Sequence, residues 1–566
     1  MRVSADVTRV AGSRYPPGMR NLLIALGALV MGPLTSMSMA SAVPSDGVWE
    51  EPFERSRSDV VHVRSLASLE TSTSTSTATL GSSPRRVRLV NHSAWSWYMD
   101  PRVLETGAST IVGGVSTSGS VTLTRFSHSS GTVTRATLQS GMNDDDHNAP
   151  ALMELPDGRV MAMWSGHGRH PLRYRITSSK DSLTRMSAAT PLRGSGLEST
   201  GASYVHLLRQ DDHPQPYIAL TRRSSDDMWV MTRSADLVTW TPAVQLLARV
   251  HEKDQHHPYL KFAMHGDAIH VLATDRHPFR GSTSLYHFVL RGERVERTDG
   301  SLIMSLPELE AGRPVTVSEA TLVYDGSSAD GRPRVYDIMV GQDGIPRIGV
   351  TTSASSNFTF KWGIPKDHGA GWQLRTLARQ SGTLPAGMSL DSGDPTRVLL
   401  ARMLDRPGLV EYRTPDDTWT AGLVTKMSGL RTPTTPYGNG GPMGALWMGG
   451  RYDRYDDYDT QVWGLTSGVA PVELVSTWSR SWDDGGVVVV KLRAGVSGPD
   501  VRDRVVRLRV RLPGGPEETV RTARTDAYGN ARLIVPDLPV GARARVLHPK
   551  SDGWGYATTG TRTADS

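Results

Sequence analysis

Short apolar runs recur along residues 85–469, and none shows the sustained 3.6-residue period of a long amphipathic helix. Three examples are residues 160–164 (VMAMW), 217–220 (YIAL) and 269–273 (IHVLA). Clusters of Gly, Asp, Asn and Pro separate the runs, and such clusters mark turns. The pattern therefore predicts many short buried strands joined by turns, which is an all-β fold.

One turn pattern is repeated in degenerate form. Residues 234–240 (SADLVTW) resemble an Asp-box, in which an Asp caps a hairpin turn and a Trp packs beneath it. Residues 414–419 and 178–182 are poorer copies of the same pattern. Dense strands combined with weak internal repeats favour a β-propeller over a chain of β-sandwiches.

The character of the sequence changes after Pro471. Residues 487–490, 506–512 and 531–535 read as strands, and the second alternates strictly between apolar residues and arginines, as a half-exposed antiparallel strand does. The turn at residues 525–530 (TDAYGN) resembles those of bacterial immunoglobulin-like modules. We predict a small immunoglobulin-like β-sandwich over residues 471–566, acting as an accessory domain.

The N-terminus has the pattern of a secretory signal peptide. Arg14 and Arg20 precede an apolar stretch at residues 22–34, and small residues follow at 40–42 (ASA). Glycines and a proline interrupt the stretch, which is already shorter than the ~20 apolar residues of a membrane span. We therefore predict a signal peptide over residues 1–42, and a mature protein that is secreted, extracellular and without a membrane span.

A Ser/Thr tract with almost no apolar content occupies residues 65–84. Such a segment buries too little apolar surface to offset the entropy of ordering it. We predict that residues 43–84 form a disordered linker ahead of the propeller.

Composition narrows the range of functions. The 566 residues include no cysteine, which excludes a disulfide framework, a Cys-based zinc site and a thiol nucleophile. The formal net charge of +6 is small for this length and suits an acidic polysaccharide as partner. Because dense Lys/Arg runs and RNA-binding aromatic motifs are missing from the sequence, we do not expect nucleic acid to be a ligand.

Several ordered motifs in the central region carry the candidate chemistry. They are residues 94–102 (AWSWYMDPR), 145–152 (DDHNAPAL), 155–159 (LPDGR) and 165–168 (SGHG). Together they resemble the BNR-4 repeat family, whose best-understood members are propeller-type polysaccharide lyases acting on ulvan. The resemblance implies a seven-bladed β-propeller over residues 85–469, which is either catalytic or carbohydrate-binding.

Three later segments extend the resemblance to about residue 465. Tyr204 precedes a strand that ends in Arg222 and Arg223, residues 274–278 (TDRHP) differ at one position from the family's pattern, and residues 450–458 (GRYDRYDDY) are similar to the closing blade.

The resemblance implies β-elimination next to a uronic acid. The proton at C5 is weakly acidic until the neighbouring carboxylate is neutralised, so the site needs a cation at the carboxylate, a base near C5 and an acid for the leaving oxygen. Carried over by position, His147 and Tyr204 become the acid/base pair, and the sequence leaves open which is the base. Arg222 becomes the neutralising group, with Arg223 as the alternative if the strand register is shifted by one residue.

The same resemblance assigns substrate binding to Asn148, His167 and His277. It implies no catalytic metal and no required cofactor, although a structural calcium or zinc ion is compatible with the sequence. A second group of histidines occurs at residues 251, 256 and 257, where we favour solvated loop residues over a zinc site because Pro258 disfavours a helix there.

The sequence thus predicts a secreted polysaccharide lyase, acting as a monomer on an acidic polysaccharide. One alternative is a sialidase-like glycoside hydrolase, but the early Arg-Ile-Pro motif of sialidases is missing, since residues 344–347 (GIPR) have the wrong order and position. The other alternative is a non-catalytic carbohydrate-binding propeller, because a fold does not fix a function.

Overall fold

Strands make up almost all of the regular structure. The computed structural model describes residues 85–563, except residues 181, 251–256, 279–281, 355–356, 382–386, 403–406, 415–418, 439–440, 468–471, 479–486, 495–503, 526–529, 537, 550–556 and 560. In this part of the chain there is one α-helix, α1 (Leu306–Glu310), and there are two 3-10 helices, Asp146–Asn148 and Asp367–Gly369. The predicted all-β fold is confirmed, whereas the predicted signal peptide and linker lie outside the described residues.

The first fourteen strands are short, and turns separate them along the chain. They are β1 (Arg85–Val90), β2 (Ser93–Ala94), β3 (Val103–Glu105), β4 (Ser109–Ser116), β5 (Val121–Ser127), β6 (Val133–Gln139), β7 (Ala151–Glu154), β8 (Val160–Trp164), β9 (Arg173–Ile176), β10 (Thr190–Pro191), β11 (Ala202–Arg209), β12 (Tyr217–Arg223), β13 (Trp229–Ser234) and β14 (Val244–Gln245).

The next eighteen strands continue the pattern to residue 466. They are β15 (Leu260–His265), β16 (Ala268–Thr274), β17 (Leu285–Arg291), β18 (Arg294–Arg297), β19 (Leu302–Ser305), β20 (Thr321–Tyr324), β21 (Arg332–Val340), β22 (Pro346–Ala354), β23 (Asn357–Lys366), β24 (Gly371–Ser381), β25 (Met388–Leu390), β26 (Arg397–Arg402), β27 (Gly408–Arg413), β28 (Thr420–Lys426), β29 (Arg431–Thr434), β30 (Tyr437–Gly438), β31 (Met443–Arg454) and β32 (Asp457–Thr466).

Among the described residues, strands β1–β32 form seven sheets. In hydrogen-bonding order these are β30-β3-β4-β5-β6 with β2 on β4, β10-β9-β8-β7, β11-β12-β13-β14, β15-β16-β17-β18-β19 with β20 on β17, β21-β22-β23-β24, β25-β26-β27-β28 and β1-β32-β31-β29. Most sheets consist of consecutive antiparallel strands. The exceptions join the two ends of the region, since β1 pairs with β32 and β30 pairs in parallel with β3.

The predicted strand runs are confirmed, and they lie in the core. Every residue of β8 and of β16 is buried, as expected for strands covered on both faces. The Asp-box turn also forms as predicted. The backbone N–H groups of Val238 and Thr239 each donate to Asp236 at 2.8 Å, and Trp240 is buried below.

Eight further strands follow residue 471. They are β33 (Val472–Trp478), β34 (Val487–Ala494), β35 (Val505–Arg511), β36 (Glu517–Arg524), β37 (Asn530–Ile534), β38 (Arg543–His548), β39 (Ala557–Thr558) and β40 (Arg562–Thr563). They form two sheets, β33-β34-β37 and β36-β35-β38-β39 with β40 on β38, which share no strand with the other seven. In β35 the residues Val506, Leu508 and Val510 are buried and their neighbours are not, which confirms the predicted alternation.

All described residues belong to one compact unit, which spans residues 63–566. The division into a propeller and an immunoglobulin-like module therefore stays a prediction. Among the helices described here, none is long and apolar enough to cross a membrane.

Candidate active site

Asp145 organises the first part of the site. It caps the 3-10 helix Asp146–Asn148, because its side chain accepts a hydrogen bond from the backbone N–H of His147 at 3.0 Å. The same carboxylate accepts from Nδ1 of His147 at 2.7 Å, and Nδ1 of His147 also lies 3.0 Å from Asp146 Oδ1. The cap therefore fixes both the backbone and the imidazole ring of His147.

His167 binds the second oxygen of the same carboxylate. Its Nδ1 donates to Asp145 Oδ2 at 2.7 Å, and its ring stacks on that of His147 with centroids 4.0 Å apart and planes 7° apart. The backbone of His167 has a φ of 39°, in the left-handed region that non-glycine residues rarely adopt. Such strained residues often lie at functional sites, and here the strained turn brings the ring onto its partner.

The two imidazoles differ in protonation. Burial opposes the charge on His147, but Asp146 and the hydrogen bonds with Asp145 and Asp146 outweigh it and raise the pKa of His147 to about 10. Burial lowers the pKa of His167, and the neighbouring positive charge of His147 lowers it further against the opposing effect of Asp145. At neutral pH one member of the stacked pair is therefore an imidazolium and the other a neutral imidazole.

A β-bulge delivers Tyr204 to the same place. In the pairing of β11 with β12, Ser203 lies opposite Arg222 and Val205 opposite Thr221, so Tyr204 is the extra residue. Its φ of 60° is again left-handed. The bulge turns its side chain out of the regular alternation of the strand, and its ring centroid lies 5.3 Å from that of His147 and 6.2 Å from that of His167.

Arg222 lies over this tyrosine. The guanidinium carbon is 4.8 Å from the ring centroid of Tyr204 and 5.5 Å from that of Tyr259, within the range of cation–π attraction. The hydroxyls of Tyr204 and Tyr259 are 3.0 Å apart. Burial disfavours the charge of Arg222, yet the two tyrosines and Asp227 raise its pKa. Burial, followed by Tyr259, raises the pKa of Tyr204 well above its usual value, so its hydroxyl keeps its proton.

The other predicted residues have different surroundings. Arg223, the alternative to Arg222, donates through Nε to Asp226 at 3.0 Å instead of packing on Tyr204. His277 reaches the site from the far side of Tyr259, with ring centroids 5.0 Å apart. Asn148 is buried, and its side-chain amide donates to the backbone carbonyl of Asn143 at 3.0 Å, so it braces the loop that carries His147.

Sequence reasoning missed several members of the cluster. Asp145, Tyr98 and Tyr455 belong to the motifs quoted above, but no role followed from their positions. Tyr455 touches both imidazole rings edge-on, at 5.1 Å from His147 and 5.5 Å from His167. Tyr259 carried no signal beyond its position at the start of a strand.

Potential metal ligands are also present at this point. One atom each of Asp145, His147 and His167 lies within 4.8 Å of the others, a donor set that suits zinc. Of the second histidine group, residues 251 and 256 lie outside the described residues. His257 forms an ion pair with Asp227 at 2.8 Å, next to Arg222.

The fold and this cluster define an all-β, propeller-like protein with a histidine, tyrosine and arginine site. The sequence matches the model of the family described as "BNR repeat-containing family member" over residues 94–380, which is about half of the chain. The chain belongs to this family, as its motifs predicted. No curated protein matches the sequence.

Solved structures with a similar fold include polysaccharide lyases. An ulvan lyase of polysaccharide lyase family 25, solved bound to -[GlcA(1-4)Rha3S]-, has a TM-score of 0.53 at 11% identity, and the match covers 68% of this chain and 95% of that one. The same lyase solved separately gives identical values. At this identity the likeness is one of fold.

Proposed function

We propose that this protein is a polysaccharide lyase that cleaves a uronic-acid-containing polysaccharide by β-elimination. The observation that carries the proposal is the convergence of Arg222, Tyr204 and the stacked pair His147 and His167. This set contains a cation, a protonated phenol and a neutral imidazole, which are the three groups that the elimination needs. The ulvan lyases of similar fold make the same reaction class plausible on other grounds.

In this mechanism Arg222 and the imidazolium of His147 neutralise the substrate carboxylate and so acidify the C5 proton. A neutral imidazole of the stacked pair takes that proton. The C5–H electron pair becomes the C4–C5 double bond, the C4–O bond breaks, and the leaving oxygen takes a proton from the hydroxyl of Tyr204. Atoms and charges balance without a metal.

His167 is the better base in the resting protein. Because its Nδ1–H donates to Asp145, the lone pair of a neutral His167 is on Nε2, as in other carboxylate-oriented histidine bases. Its side chain is 27% exposed, against 14% for that of His147, so it is also the more accessible ring. His147, held protonated, then serves as the cation beside it.

We further propose that the seven sheets of β1–β32 are the seven blades of a propeller. The pairing of β1 with β32 supports this, because a strand from the start of the region completes the last sheet and holds the ring closed. Asn148 and His277 would bind substrate, the first by bracing its loop and the second beside Tyr259. Secretion, monomeric state and the accessory role of residues 471–566 are part of the same proposal.

The test is to incubate the protein with a panel of uronate polysaccharides and follow the ultraviolet absorbance of the new double bond. We expect absorbance with at least one polymer, and a loss of about 100-fold or more in kcat/KM for His167→Ala and His147→Ala. His213→Ala is the matched control, because this histidine lies in a turn where Nδ1 accepts from the backbone N–H of Gln215. It should retain full activity.

The readouts separate the competing functions. Release of reducing ends without absorbance would replace the lyase with a hydrolase. Binding of a polymer with neither product would leave a carbohydrate-binding propeller.

A further inference from the structure

A second polar cavity lies away from the candidate active site. It has a volume of about 320 Å³, at the lower end of the range for small-molecule sites, and its lining comes from strands β16–β18 and from residues 344–346 and 365–369. It therefore opens between the sheet of β15–β19 and that of β21–β24.

The register of β16 separates this cavity from the candidate active site. Thr274, at the end of β16, accepts a hydrogen bond from the backbone N–H of Tyr259, which is in the active-site cluster. His270 lies four residues earlier and lines the cavity. At ~3.3 Å per strand residue, the two positions are roughly 13 Å apart along the strand.

A chain of hydrogen bonds ends at the cavity. Trp372 donates through Nε1 to the hydroxyl of Thr298 at 3.4 Å, and this oxygen lies 2.8 Å from Nδ1 of His287. Nε2 of His287 is 3.2 Å from Nδ1 of His270. Since indole only donates, the hydroxyl of Thr298 is satisfied when it donates onward to His287, which sets the direction of the whole chain. His270 then presents an Nε2–H donor.

Both imidazoles are neutral donors and acceptors at neutral pH. Burial, followed by the charge of Arg291, lowers the pKa of His270 to about 3, and burial followed by His270 lowers the pKa of His287. A buried polar chain that ends at a cavity is costly to leave without a partner, so it points to a ligand that accepts a hydrogen bond.

The charges around the cavity select the ligand further. Arg291, Arg297 and Lys366 are exposed at its lining, together with the carboxylates of Glu296 and Asp367. Glu296 is already bound by a further arginine outside the lining, Arg294, at 2.6 Å. The balance is positive, and the apolar surface of Ile345 and Pro346 beside it suits the face of a sugar ring.

We infer that this cavity is a second binding site for an acidic sugar unit, in which His270 donates to the sugar and the basic rim binds its carboxylate. The choice of a sugar over another anion rests on the proposed function. The site would hold a uronate polysaccharide on the protein at a distance from the point of cleavage.

The experiment uses glucuronate as the probe and glucose as its neutral counterpart, each titrated against the full chain by ligand-observed NMR. The background is Arg222→Ala, which removes the carboxylate-binding cation of the active site. The test variant adds Arg297→Ala and Lys366→Ala. The matched control adds Arg193→Ala and Lys426→Ala, which remove the same charge from exposed positions on other sheets.

We expect glucuronate to bind the background and the control alike, and the test variant about ten-fold more weakly, as the loss of one good charged contact would give. Equal binding by all three proteins, or equal binding of glucose and glucuronate, would overturn the inference. His270→Gln, which keeps a side-chain N–H, should bind better than His270→Leu, and thermal unfolding will show that each variant is folded. Because binding is measured without turnover, the second site can fail while lyase activity is present, and the reverse.

Discussion

The guanidinium of Arg222 lies 4.8 Å above the ring of Tyr204, on the neighbouring strand and opposite a β-bulge. The bulge is essential to this contact. In a regular strand successive side chains alternate between faces, whereas the extra residue at position 204 aims its ring at the arginine and at the imidazole pair. A cation, a phenol and two imidazoles thereby meet within a few ångströms.

Arg222 should matter far more than its neighbour. We expect Arg222→Gln to lower kcat/KM by about 100-fold or more, because the cation at the substrate carboxylate is lost. Arg223→Gln is the control, since that side chain binds Asp226. Steady-state rates from double-bond absorbance will test this, and similar losses in both variants would contradict the proposed role of Arg222.

Tyr204→Phe separates chemistry from packing. Tyr204 is only 1% exposed, so the phenylalanine ring should keep the packing and the stability while removing the proton donor. We expect kcat/KM to fall by about 100-fold with an unchanged midpoint of urea unfolding. Near-normal activity in this variant would assign Tyr204 a packing role only. Tyr217→Phe, on a different part of the same sheet, is the control.

The ion pair of His147 should make stability depend on pH. The pKa of His147 is raised from 6.5 to about 10 in the folded protein, so its stabilising contribution is complete below pH 6.5 and is lost as the pH rises through about 10. We expect the free energy of unfolding to decrease over this range in the wild type. His147→Gln should show a smaller decrease, and equal slopes in urea titrations would contradict the assignment.

Activity should need no metal, and zinc should inhibit. Chelation with EDTA is expected to leave the rate unchanged, since the proposed mechanism uses only side chains. Excess Zn²⁺ should reduce it reversibly, because Asp145, His147 and His167 are close enough to bind the ion together and would lose their proton chemistry. Loss of activity with EDTA that zinc or calcium restores would show a required metal instead.

The Asp-box tryptophan should be a major source of stability. Trp240 is buried below the turn, and Trp240→Ala is expected to cost about 3–5 kcal/mol in the free energy of unfolding. Val238→Ala is the control, because this residue of the same turn is 58% exposed and should change stability by less than about 0.5 kcal/mol. Urea unfolding of both variants is the measurement.

Local patterns were sufficient to predict the strands and several site residues. The runs at β8, β12 and β16 are strands, as their apolar content requires, and the Asp-box turn forms because its aspartate can bind the backbone N–H groups that follow it. The motifs around His147 and His167 also predicted membership of the family that the sequence matches. These are properties of neighbouring residues, so they can be read from neighbouring letters.

What the sequence by itself determined was therefore the all-β class, the strand runs and the candidate set His147, His167, Tyr204 and Arg222. Only the tertiary structure decided that one carboxylate, Asp145, binds both imidazoles, and that a bulge places Tyr204 beneath Arg222. Contacts such as that of Tyr455 with residues some 300 positions earlier depend on how separate sheets meet. No local pattern encodes those distances, which also set the protonation of the two histidines.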